Sequence, residues 1–187
     1  MPLYLCRYSM AIRTCPRCSE PLHRGYQTCS FCSFSLRDAD STFGSKRVRL
    51  QRVVDASKSI SPVDAEKLDR RISRFEADFP QLLFAAYVAH LPENVNLREL
   101  GFWLINRAIL DSPRSNDSAI LLCVNSRHLS ASISLGYLPE QHLDEFQLST
   151  TLEQASPYLS ARRFAPLIAS CLNSISHHLR QEQATPR

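Results

Sequence analysis

Cys15-Pro16-Arg17-Cys18 and Cys29-Ser30-Phe31-Cys32 are two C-x-x-C turns with ten residues between them. Four thiolates brought together by two tight turns suit a tetrahedral Zn²⁺, whose sulfur ligands converge at about 2.3 Å. The stretch from Ser19 to Thr28 is long enough for a small hairpin and too short for a core of its own. A piece of that size relies on a metal to stay folded. Protein ligands fill all four positions, which leaves none open to a substrate, so the spacing predicts a structural zinc ribbon rather than a catalytic zinc. Knuckles of this kind often place Gly after the second Cys of each pair. Here Ser19 and Ser33 stand there, which permits the turn with less backbone freedom.

Other uses of paired cysteines fit less well. A disulfide framework needs an oxidising compartment, and Met1 to Thr14 holds only a short apolar run, interrupted by Arg7, with no small-residue cleavage site. A thioredoxin-type C-x-x-C precedes a βαβ unit, whereas here one C-x-x-C is followed by another. Cys123 lies in an apolar run and Cys171 on an apolar helical stripe, so both read as small core residues, and Cys6 joins no set. Seven cysteines, an odd number, without an export signal point to a reducing cytoplasm.

Other chemistry is thin. The four glycines are isolated, so there is no Gly-rich phosphate loop, and neither H-E-x-x-H nor a nucleophile elbow appears. His177-His178 falls at the end of the last expected helix, where such side chains suit terminal carbonyls. His90, His128 and His142 lack ligand spacing and read as surface histidines.

Charge is uneven. The net charge is +4, yet residues 1–52 carry nine Lys/Arg against three Asp/Glu. Lys46, Arg47, Arg49 and Arg52 cluster just after the paired cysteines and could meet nucleic acid or an acidic surface. No aromatic interleaving marks a base-stacking platform there. No apolar stretch approaches the roughly 18 residues of a membrane helix.

These residues need elements to hold them. Residues 37–47 are polar, carry Gly44 and read as a linker between a ribbon at 1–36 and a domain at 48–180, with 181–187 a frayed tail. Val48 to Val54 reads as a strand. Ser61-Pro62-Val63-Asp64 starts a helix whose stripe is Ala65, Leu68, Ile72, Phe75 and Phe79, ended by Pro80. Leu82 to Ala89 is an apolar strand covered on both faces. Asn96-Leu97-Arg98-Glu99 opens a second helix with a capping-box pattern, and Ala119 to Val124 is a second buried strand. A hairpin over 125–129 leads to a strand in which Ser130, Ser132 and Ser134 alternate with apolar residues, which predicts one exposed face. Helices follow from Gln141 to Gln154 and from Ser160 onward. The order β-α-β-α-β-β-α-α predicts an α/β class: a mixed sheet between two helix layers, an α/β/α sandwich, beside the small ribbon.

From Val53 to Ile175 this layout resembles the TPM domain family, known from a plant thylakoid-lumen phosphatase, photosystem repair factors and many bacterial membrane-tethered proteins. The resemblance rests on Val53-Val54-Asp55-Ala56 with Ser61 at the helix start, on Ser115-Asn116-Asp117-Ser118 entering Ala119-Ile120-Leu121-Leu122, and on Ile133-Ser134-Leu135-Gly136-Tyr137-Leu138-Pro139-Glu140. It implies a three-layer sandwich with a rim cleft in which Asp55, Asn116, Asp117, Glu140 and Asp144 hold Ca²⁺ or Mg²⁺ through hard oxygen donors. The family's Asp-Asn-Gly loop is here Asn116-Asp117-Ser118, and Leu138-Pro139 replaces Gly-Leu.

Three functional readings follow. The favoured one is a binding or regulatory module whose ribbon docks on a protein partner. An acid phosphatase-like hydrolase, by analogy alone, would use Asp55, Asp117 and Glu140 for Mg²⁺ and Arg114 or Arg127 for phosphate charge, but lacks an obvious nucleophile. Nucleic-acid binding through the ribbon and Lys46 to Arg52 is the third.

Overall fold

The structure is a computed structural model that describes residues 4–5, 8–9, 12–22, 28–110 and 115–184. Cys6 and Arg114 lie outside the described residues.

The core strands form where apolar residues run without interruption. β1 (Tyr4–Leu5), β6 (Val53–Asp55), β7 (Leu83–Ala89), β9 (Ala119–Asn125) and β10 (Ser130–Leu135) make a five-stranded mixed sheet in the order β1-β10-β9-β7-β6. β6, β7 and β9 run parallel, β10 is antiparallel to β9, and β1 lies parallel on the outer edge of β10. Period-two side chains divide between the faces. Phe84, Ala86, Val88, Ile120, Leu122, Val124, Ala131 and Ile133 join the core under α2 (Pro62–Asp78), α4 (Glu145–Ser160) and α5 (Phe164–Ala184). Leu83, Ala85, Leu121 and Cys123 pack under α3 (Leu97–Arg107). The three-layer α/β/α sandwich with a mixed sheet is therefore present.

The two crossovers differ in hand. β6, β7 and β9 lie side by side in that order, yet α2 joins the first pair across one face and α3 joins the second across the other. One of them is thus left-handed, the rare sense for a βαβ unit. At the carboxyl ends of β6 and β7 the chain departs to opposite faces.

Several expectations need correction. Ser132 and Ser134 do not face solvent. α3 covers them, Ser132 Oγ donating to Leu97 O at 3.2 Å. The cover is close because α3 carries Gly101 above Ser134, where an added Cβ would lie 2.1 Å from Ser134 Oγ. The expected linker 37–47 is largely α1 (Leu36–Phe43), started by a reciprocal cap between Ser35 and Asp38 and stopped at Gly44 (φ 99°). It is held on α3 rather than left free, with Asp40 taking two hydrogen bonds from Arg107 and one from Trp103 Nε1 at 3.2 Å, and Phe43 against the indole. The expected strand over 48–54 divides: β5 (Arg49–Leu50) pairs in parallel with β8 (Ile109–Leu110) outside the main sheet, and β6 starts at Val53. α4 starts at Glu145, after a 3-10 turn over Pro139–Gln141, and continues through Pro157 to Ser160. α5 runs through 181–184, so that part of the expected tail is helical, while 185–187 lie outside the described residues.

Candidate metal centre

A three-stranded antiparallel sheet of β2 (Tyr8–Ser9), β3 (Ile12–Thr14) and β4 (Pro21–Leu22) carries the first knuckle between its last two strands. A Thr28–Ser35 bridge closes the second. The two knuckles share one hydrogen-bond pattern. Ser19 N donates to Cys15 O and Ser33 N to Cys29 O, each at 2.9 Å. Cys15 N donates to Glu20 O and Cys29 N to Phe34 O, each at 2.8 Å. The chain can return this tightly only through a left-handed residue, and Ser19 (φ 66°) and Ser33 (φ 58°) occupy those positions.

The two turns face each other. Cys15 Sγ lies 3.5 Å from Cys32 Sγ and Cys18 Sγ lies 3.7 Å from Cys29 Sγ. All four sulfurs fall within 4.8 Å of one another, an arrangement able to hold a metal ion. A regular tetrahedron with metal–sulfur bonds of about 2.3 Å has edges of about 3.8 Å, so the donor set fits. Cys15 and Cys29 are buried and Cys18 and Cys32 half-buried. Burial pushes the Cys15 thiol well above its ordinary value. Burial also raises Cys29, but the Cys32 and Phe31 amides, with contacts to Cys32 and Cys18, outweigh it and bring Cys29 down to about 7. Cys123 and Cys171 sit in the core, where burial pushes each thiol up to about 12, as inert packing residues require.

The centre rests on α3. Arg17, inside the first knuckle, makes a two-pronged ion pair with Glu99, Nε to Oε1 at 2.8 Å and Nη2 to Oε2 at 3.0 Å. The same guanidinium lies 4.4 Å from the Phe34 ring centroid, and Phe34 packs edge-on against Phe102 of α3. Arg98 donates from Nη1 to Ser19 Oγ at 2.5 Å and from Nη2 to Cys15 O at 3.0 Å. Asn96, whose carbonyl oxygen caps α3, turns its amide toward Pro16 O at 3.4 Å. The cysteines thus belong to the same apolar cluster as Leu100, Trp103 and Leu104. Sequence reasoning missed Arg17 and Arg98, took Ser19 for a turn residue alone and took Glu99 for a helix cap. Glu99 pairs with Arg17 instead. Two adjacent charges inside an otherwise apolar helix opening were the available signal.

The acidic residues do not converge. Asp55 ends β6 opposite Val88, near the carboxyl ends of β7 and β9. Asn116 and Asp117 precede Ala119, at the amino end of β9 opposite Leu83. Five strand steps plus two interstrand spacings put about 20 Å between these ends. Asp55 cannot share an ion with Asp117 or Glu140. Its carboxylate is taken by the Ser57 amide and hydroxyl and by the Ile60 amide at 2.7 Å. Asn116 donates to Ile105 O and Ala108 O, and Asp144 caps α4 through Gln147 N at 2.8 Å. Asp117 receives Leu138 N on its backbone carbonyl, and Glu140 sits in the 3-10 turn that follows. Among the described residues the four cysteines are the group of three or more His, Cys, Asp and Glu close enough to share an ion. The Ca²⁺/Mg²⁺ site expected from the resemblance is not assembled, because its members come from loops at both ends of the sheet.

The basic cluster is also divided. Lys46, Arg47 and Arg49 are exposed, whereas Arg52 is tied to Glu76 at 2.8 Å and Asp69 at 3.1 Å across α2. His90 Nδ1 lies 2.8 Å from Ser126 Oγ, and His142 Nδ1 lies 2.9 Å from Glu182. Among the described residues no helix is long and apolar enough to cross a membrane.

Comparison of the sequence with protein-family profiles and with curated proteins gives no match. Two solved structures share the fold. The solution NMR structure of the N-terminal domain of the cg2496 protein from Corynebacterium glutamicum aligns over 68% of this chain and 78% of its own, with a TM-score of 0.55 and 14% identity. The solution NMR structure of the N-terminal domain of a P. gingivalis protein aligns over 79% of this chain and 92% of its own, with a TM-score of 0.53 and 17% identity. At these identities the likeness is one of fold: this chain carries a mixed α/β domain similar to both.

Proposed function

We propose that this protein is a binding or regulatory module in which one structural Zn²⁺ staples the N-terminal segment onto a TPM-like α/β/α domain. The observation that carries the reading is the closed tetrahedron of Cys15, Cys18, Cys29 and Cys32, seated on α3 by Arg17 and Arg98. Zn²⁺ suits it because four-coordinate thiolate sites are its usual structural form, and protein ligands fill every position. The layered fold and the Asp55 loop entering α2 support the TPM-like reading. A cytoplasmic, reducing setting keeps the thiols available. The partner of the module is a protein, met by the face that the metal centre and α1 build over α3.

Elemental analysis of purified protein tests this. One zinc per chain, a colourless solution and a lower melting temperature after chelation are expected. Red protein carrying iron, or metal-free protein with unchanged stability, overturns the zinc assignment. Pull-downs with the four cysteines changed to serine test the binding role, and an unchanged partner set counts against it.

One observation favours a second reading. Lys46, Arg47 and Arg49 are closely spaced, exposed cations without ion-pair partners among the described residues, as contact with nucleic-acid phosphates requires. Retention on DNA or RNA at low salt, lost steeply as salt rises, is the expected sign.

A further inference from the structure

Arg98 is buried, 7% exposed, in the first turn of α3, where the helix end disfavours positive charge. Among the described residues no carboxylate pairs with it, since its neighbour Glu99 is taken by Arg17. Among the described residues its hydrogen bonds go to neutral acceptors, Ser19 Oγ and Cys15 O, and its buried Nε has no partner. A buried guanidinium with only neutral acceptors is strongly unfavourable unless an anion lies close by. Cys15 is one of the four metal-ligand candidates. A divalent ion with four thiolates carries a net charge of −2, and Cys15, whose carbonyl Arg98 holds at 3.0 Å, would be one of its ligands.

We propose that Arg98 is the counter-cation of the metal centre, a positioning residue that holds the first knuckle on α3 and whose burial depends on the ion being bound. This rests on the metal reading above. With the ion in place, the anionic centre offsets the buried guanidinium, and the guanidinium in turn favours the charged metal–thiolate set. Remove the ion and the anionic centre is gone, leaving Arg98 buried against two neutral oxygens. Linkage makes the effect reciprocal: whatever Arg98 adds to metal affinity, the metal adds to the docking of the knuckle on α3. Supporting groups of this kind change metal affinity by about 10- to 100-fold.

The full-length protein with Arg98→Gln and Arg98→Lys separates charge from hydrogen bonding. Gln keeps donors and drops the charge, and Lys keeps the charge. Zinc affinity is read by competition with a chromophoric chelator, and melting temperature is read with and without zinc. Arg98→Gln is expected to lose about tenfold in zinc affinity and Arg98→Lys less. The zinc-free form of Arg98→Gln should melt no lower than zinc-free wild type, because an unpaired buried charge has been removed. Three results overturn the proposal: wild-type affinity in Arg98→Gln, equal losses of melting temperature with and without zinc, or greater harm from Lys than from Gln. If wild-type protein itself takes up no zinc, the metal reading fails and this proposal with it. If wild type binds zinc tightly and Arg98→Gln matches it, this proposal alone fails.

Discussion

Arg17 and Glu99 stand 82 positions apart in sequence and meet in a two-pronged ion pair at 2.8 and 3.0 Å. The pair fastens the first cysteine knuckle to the opening turn of α3. Glu99 is the more enclosed partner, its side chain 10% exposed against 39% for Arg17. Glu99→Gln should therefore lower stability by about 2 kcal/mol, the range for hydrogen bonds to a charged group. Urea unfolding of zinc-loaded protein measures this, and hydrogen exchange at residues 15–19 should accelerate in the same variant. Unchanged exchange there would mean that the pair is not what seats the knuckle.

The left-handed serines give a paired test. Ser33 has φ 58°, so Ser33→Gly should relieve backbone strain and raise stability by up to about 1 kcal/mol. Ser19 has φ 66°, yet its hydroxyl accepts from Arg98. Ser19→Gly should gain less, or lose. Thermal melts of the two variants side by side show whether the order holds.

Gly101 reports how closely α3 approaches the sheet. A methyl group there would meet Ser134 Oγ at 2.1 Å and Ser134 Cβ at 2.9 Å. Gly101→Ala normally favours a helix interior, but here it should destabilise by about 1–3 kcal/mol through overpacking. Ser134 Oγ is buried with no partner among the described residues, so Ser134→Ala alone should be neutral or stabilising. The double variant should recover part of the Gly101→Ala loss, and strict additivity would contradict the contact.

Asp40 ties α1 to α3, and Arg107, donating to its carboxylate, holds it below the usual carboxylate range, with help from Trp103. A depressed folded-state value means that the contribution is present above the unfolded value of about 3.9 and lost as pH falls through the folded one. Stability of wild type should thus decline below about pH 4 more steeply than that of Asp40→Asn. Urea midpoints from pH 6 down to pH 3 compare the two, with parallel curves as the contrary result.

Asp55 is a loop staple rather than a cation ligand. Its carboxylate accepts from Ser57 twice and from Ile60 at 2.7 Å, which shapes the turn between β6 and α2. Asp55→Ala should cost about 1–3 kcal/mol for the donors left behind. Millimolar Ca²⁺ or Mg²⁺ should leave wild-type melting unchanged, and a rise that Asp55→Ala abolishes would restore the ligand role.

What could be read from sequence follows the length and regularity of each element. β7, β9, α2 and α5 were legible because long apolar runs or three- and four-residue stripes leave one solution. β5 and β8 are two residues each, too short for any period to show. α1 was hidden because Ala39 is its one buried residue, and its helicity comes from the Ser35–Asp38 cap and the grip of Arg107 and Trp103. The four cysteines were legible because their geometry is made locally. Arg98 was not, because its partners lie 79 and 83 positions away. Asp55 and Asp117 were wrongly joined because loops at either end of a sheet look alike in one dimension. The parallel pairing of β6, β7 and β9 is what separates them.

The four sulfur donors all precede residue 33, while their platform begins at Leu97. During synthesis, therefore, the thiols leave the ribosome well before the helix that will receive them. Capturing an ion needs only closure of a short local hairpin, so loading can come first and seating later. On the metal reading proposed above, a finished hairpin meets α3 once that helix is made, and a cell short of the ion would accumulate chains whose knuckles are not yet seated on α3.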